Sequence, residues 1–141
     1  MRSRYEILLQ NYCKLIHIEA RTMVDMANKE ILPAVSEYSQ TLGSTILTKQ
    51  SVCANLNCQY ETETLTEISR LQAKAYESVK KLEKALVSAL KIDDATKQAV
   101  YYKTKILSTM QALRDSVDRL ETIVSCDYWP FPTYGDLLFG V

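Results

Sequence analysis

Apolar residues in the first third of the chain recur at steps of three and four. Leu8, Tyr12, Leu15, Ile16, Met23, Met26, Ala27 and Ile31 alternate with Arg21, Asp25 and Lys29, which is the pattern of an amphipathic helix. Pro33 falls inside this pattern, which resumes at Val35, Tyr38 and Leu42 before Gly43. A proline there removes a backbone donor and crowds the preceding turn, so the spacing predicts one long helix kinked near Pro33 and stopped at Gly43. Two helices, with Pro33 opening the second, satisfy the same pattern. Positions 43–60 hold Gly43, Ser44, Thr45, Ser51, Asn55 and Asn57 with weak periodicity and read as a connection with partial helix at most.

The second stripe is cleaner. Leu65, Ile68, Ala75, Val79, Leu82, Leu86 and Ala89 follow near-heptad steps, Leu71 and Leu90 widen the face, and Glu77 to Lys81 forms an i,i+4 pair. Ile92-Asp93-Asp94-Ala95 then supplies a turn and an N-cap carboxylate. A third stripe runs through Ala99, Tyr102, Ile106, Met110, Leu113, Val117, Leu120 and Val124, with Asp115, Arg119, Arg114 and Asp118 outside it. Two long helices joined by so short a turn lie antiparallel, and the first helix covers their shared seam. The fold class is all-α: an antiparallel bundle of three long helices, four if Pro33 divides the first, over residues 1–125.

The grammar changes after Val124. Residues 126–141 contain Tyr128, Trp129, Phe131, Tyr134 and Phe139, five of the chain's twelve aromatics, together with Leu137 and Leu138. Pro130 and Pro132 exclude helix and hold the backbone extended, so the rings project from a stiff ribbon that requires burial. The ribbon either folds back as a lid on its own bundle or docks on another domain or subunit. Tyr128, Trp129, Phe131, Tyr134, Leu137 and Phe139 are therefore the candidate structural and interface residues. An amphipathic helix also begins within a few residues of Met1, which points to a piece excised from a longer chain.

Composition narrows the classes of function. Seventeen basic and 17 acidic residues give zero net charge, without the basic footprint that nucleic acid or an anionic membrane surface demands. Apolar runs are too short for a spanning helix or a signal peptide, so the expected location is cytoplasmic. Cys13, Cys53, Cys58 and Cys126 are then expected as free thiols. Chemistry-bearing constellations are sparse. Cys53-x4-Cys58 is a single loose pair, short of the four convergent ligands zinc requires. His17, the one histidine, has no adjacent nucleophile and reads as a surface or half-buried helix residue. Gly43, Gly135 and Gly140 are too far apart to cradle a phosphate, and Asp93-Asp94 is explained by capping. The Glu-x-x-His pattern of a di-metal bundle is missing. Tyr101 and Tyr102 beside Lys103 and Lys105 lack the basic groove that base stacking uses. No catalytic, cofactor-binding or metal-ligating residue is assigned.

Three stretches resemble a known family: Asn11 to Ala27, Ile31-Leu32-Pro33-Ala34-Val35, and Asp127 to Phe139, with the string Tyr128-Trp129-Pro130-Phe131-Pro132-Thr133-Tyr134-Gly135-Asp136 the most specific. They are similar to the C-terminal region of type III glutamine synthetases over most of residues 4–38 and 97–141. The resemblance implies a parent ligase that joins ammonia to glutamate with ATP and Mg or Mn, in large homo-oligomers serving nitrogen assimilation. The family's metal, nucleotide and ammonia-site residues belong upstream and have no counterparts here. The expectation is a non-catalytic assembly domain, inactive alone, whose partners are the catalytic domain of the same chain and other subunits. The alternative is a free-standing helical module that binds a partner protein.

Overall fold

A computed structural model describes residues 3–132. Among them the chain forms α1 (Arg4–Met26), α2 (Leu32–Val52), α3 (Gln59–Leu90), α4 (Ala95–Tyr101) and α5 (Leu107–Ile123). Single π-helical turns, Ala27–Ile31 and Tyr102–Ile106, join α1 to α2 and α4 to α5. The described residues thus make three continuous rods, an all-α antiparallel bundle.

The π-turn explains the proline. Pro33 cannot donate to the carbonyl four residues before it, and the chain widens by one residue there, with the Leu32 N–H reaching the Ala27 carbonyl five positions back. The register of the buried face survives this step, since Val24, Ala27, Ile31 and Val35 are all buried. The helix expected to stop at Gly43 instead runs on to Val52, where Cys53 turns extended and caps the Lys49 carbonyl. A glycine inside a helix costs about 1 kcal/mol relative to alanine, too little to end a helix that has tertiary support. That support includes the ion pair between Lys49 and Glu61 of α3. The connection expected over 43–60 shrinks accordingly to the six residues 53–58, and α3 begins at Gln59.

The other boundaries follow their capping chemistry. Ser3 accepts from the Glu6 N–H at the start of α1, and Asp94 accepts from the Lys97 N–H at the start of α4. The Glu77–Lys81 pair is present at 3.1 Å. On the outer face Asp115 accepts from Gln111.

Ile68, Val79, Leu82, Ile106, Leu113, Leu120, Val35 and Tyr102 are the largest fully buried side chains, each contributing about 1.5–3 kcal/mol of apolar burial. Ala20 of α1, Ala89 of α3 and Ala99 of α4 are buried in the shared core. Rod lengths set the shape. At 1.5 Å per residue, helical segments of 23, 5 and 21 residues make the first rod about 73 Å long, against about 48 Å for the 32 residues of α3. Gln72 of α3 bonds Ser36, Asn28 bonds Glu83, and His17 and Leu90 line one cleft. Antiparallel pairing with α3 is therefore used up near His17, and the opening turns of α1 run past the end of that helix.

Candidate docking interface

The tail begins as a turn. The Ser125 carbonyl accepts from the N–H groups of Tyr128 (2.9 Å) and Trp129 (3.1 Å), so residues 126–128 reverse the chain where an extended ribbon was expected. The reversal throws the Trp129 indole back onto the bundle, where it is 7% exposed and joins the core of Leu120, Val124 and Tyr38. Tyr128 stacks against Tyr38 of α2 with ring centroids 5.3 Å apart, and its hydroxyl lies 2.7 Å from Thr41 Oγ1. Phe131 packs on the same cluster. Burial, then a hydrogen bond with Tyr60 of α3, pushes the Tyr38 phenol up to about 12. Tyr38 thereby ties α2, α3 and the tail together in its neutral form. Tyr134, Leu137 and Phe139 lie outside the described residues.

The opposite end of the first rod presents a different surface. Tyr5 (64% exposed), Leu8 (62%), Tyr12 (38%) and Leu15 (60%) stand at alternating steps of three and four, the a and d positions of two heptads. They lie beside the buried stripe of Cys13, Ile16 and Ala20, not on it. Ile7 and Ile18, also exposed, flank them. The periodicity that predicts this helix therefore belongs to two faces, one of which is exposed among the described residues.

Between these regions lies a cleft of about 450 Å³ lined by Gln10, Cys13, Lys14, His17, Ile18, Leu90, Gln98 and Tyr102. The π-turn at Tyr102 brings its hydroxyl 2.9 Å from His17 Nδ1. Burial, with the Arg21 charge second, lowers the His17 pKa. Burial raises the Cys13 thiol and the Tyr102 phenol. All three shifts favour neutral forms, so the cluster packs as an uncharged polar corner. Sequence reasoning left His17 without a partner, because Tyr102 is 85 residues away and only the helix pairing joins them.

The Lys49–Glu61 pair was likewise not anticipated. Glu61, in the first turn of α3, is buried; the Lys49 ammonium and its own backbone hold its carboxyl below the usual range. Among the described residues no three His, Cys, Asp or Glu side chains converge as a metal site would require, and no helix is long and apolar enough to cross a membrane. Cys13, Cys53, Cys58 and Cys126 are free thiols.

The described residues make an all-helical bundle whose exposed side chains on α1 include an aromatic and aliphatic stripe. Residues 1–50 match the family model described as glutamine synthetase C-terminal domain. The chain is 34% identical over 139 residues to a glutamine synthetase of Butyrivibrio fibrisolvens, covering 99% of this chain and 20% of that one. It is also 23% identical over 140 residues to a glutamine synthetase of Bacteroides fragilis (96% and 19%), and 26% identical over 145 residues to a type-3 glutamine synthetase of Dictyostelium discoideum (99% and 20%). Similarity to glutamine synthetases, one of them type-3, thus runs along the chain, and its first 50 residues match the glutamine synthetase C-terminal domain model. It spans about a fifth of the length of these relatives.

Proposed function

We propose that this chain is the non-catalytic, assembly-supporting C-terminal domain of a type III glutamine synthetase. The observation that carries this reading is the coverage: similarity runs along 99% of this chain yet accounts for 20% of the Butyrivibrio fibrisolvens relative. A match of that shape corresponds to one domain of a larger enzyme. The parent reaction would join ammonia to glutamate at the expense of ATP with Mg or Mn, in the cytoplasm, in a large homo-oligomer that serves nitrogen assimilation. The ligands for nucleotide and metal would come from the remainder of that polypeptide. The domain's part is mechanical: a rigid three-rod body on which Tyr128, Trp129 and Phe131 pack.

The test joins two assays. The purified 141-residue chain is expected to form no glutamine from glutamate, ammonia and ATP. The Butyrivibrio fibrisolvens enzyme with its matching fifth replaced by this chain is expected to retain activity. Glutamine formation by the isolated chain would overturn the non-catalytic role. A grafted enzyme that folds no better than the truncated one would overturn the domain assignment.

A further inference from the structure

We propose that the exposed face of α1 made by Tyr5, Leu8, Tyr12 and Leu15 is the docking seam for an uncharged, apolar helix face supplied by the polypeptide that precedes this domain in the full-length enzyme. This rests on the reading of the chain as a C-terminal domain.

Three features single the seam out. Its four side chains keep strict a/d spacing over two heptads and then stop, since the next a and d positions are Glu19 and Thr22. A sequence that breaks the pattern where contact ends is patterned for a partner of finite length. The seam is also free of charge: of the two ionic residues between Arg4 and Glu19, Lys14 lines the His17 cleft, and Glu6 is not at an a or d position. Exposed Tyr76, by contrast, stands among Lys74, Glu77 and Lys80. Ile7 and Ile18, also exposed, extend the stripe, and a run of apolar side chains of this kind on one helix face marks an interaction site.

The identity of the occupant follows from length and position. Two heptads fall short of the three to four that make an independent coiled coil. A second copy of the chain, meeting it by diffusion, is therefore a poor occupant. A covalently attached one needs far less intrinsic affinity, because a short tether holds it at an effective concentration on the order of millimolar. The relatives are about five times longer than this chain and the family is their C-terminal domain, so most of their length enters at the end of α1 where Tyr5 stands. The first rod is helical from Arg4, and its opening turns project beyond the end of α3 toward that junction.

Hydroxyl-radical footprinting reads side-chain exposure directly and separates the outcomes. Tyr5, Leu8, Tyr12 and Leu15 are expected to be modified readily in the isolated chain. They are expected to be protected several-fold in the grafted Butyrivibrio fibrisolvens enzyme, while Tyr76 is modified equally in both. The pair Leu8→Glu and Leu15→Glu should leave melting of the isolated chain unchanged and remove the protection in the graft. A graft that is assembled and active but leaves the four residues as reactive as before overturns the seam and spares the domain assignment. A graft that does not assemble removes the assignment and the seam with it. Protection in the isolated chain that grows with its concentration, and is lost in the double variant, makes a second copy the occupant and overturns the proposal.

Discussion

Replacing Trp129 by alanine tests whether the tail is part of the folded body. The indole is 7% exposed and shares a core cluster with Leu120, Val124 and Tyr38. Truncating a buried Trp or Phe costs about 3–5 kcal/mol, transfer and cavity terms together. The lower figure applies here, because Trp129 is held by a turn on the Ser125 carbonyl and not by a helix, so the tail can peel away without leaving a closed cavity. For a chain of 141 residues, unfolding entropy of about 2.1 cal/mol/K per residue converts 3 kcal/mol into a fall of about 10 °C in Tm. Circular dichroism at 222 nm gives that shift, and the fluorescence of this single tryptophan gives an independent reading. Emission should be blue-shifted in the native chain and move red with the same midpoint as helix loss. A drop below about 3 °C, equivalent to less than 1 kcal/mol, together with red-shifted native emission, would refute the docked tail.

Gly43→Ala should raise stability by about 1 kcal/mol, because the residue sits inside α2 with nothing within 4 Å of an added Cβ; a lower denaturation midpoint would contradict the uninterrupted helix. Ala89→Leu should lower stability by about 1–3 kcal/mol, since Ala89 is 0% exposed in the core cluster near the end of α3, and an unchanged urea midpoint would show that corner to be loose. His17 is less readily protonated in the folded chain than at its ordinary 6.5, so the unfolded chain binds more protons and stability falls as pH drops through that value. Tm measured from pH 7.5 to 5.5 should decline, and His17→Gln should flatten the decline; parallel slopes in both proteins would show that His17 is not held neutral by its burial and the Arg21 charge.

Much of the bundle could be read from spacing because α3 and α5 each bury one stripe in one register: Ile68, Val79, Leu82 and Leu86 on the first, and Met110, Leu113 and Leu120 on the second, are all buried. Asp94 was legible for the same local reason, as a capping carboxylate acts within three residues. The reach of α2 to Val52 was not, because residues 43–52 carry no buried stripe and Leu47 and Val52 are 70% and 75% exposed. Its support is the ion pair with Glu61 across the loop, a contact that exists only once the rods pair. The α1 stripe was read as a single core face because a count of apolar residues does not say what they face; Leu8, Tyr12 and Leu15 lie beside Cys13 and Ile16 around the helix and stay exposed. The aromatic run from Tyr128 to Phe131 declared its need for burial in sequence, but the turn that delivers Trp129 to the core depends on one carbonyl, that of Ser125.

Sedimentation velocity of the Butyrivibrio fibrisolvens glutamine synthetase, truncated of its matching fifth and then carrying this chain in its place, tests the assembly role most directly. The account predicts that the truncated enzyme loses the native sedimentation coefficient and that the grafted one recovers it. A truncated enzyme already at native size would contradict it.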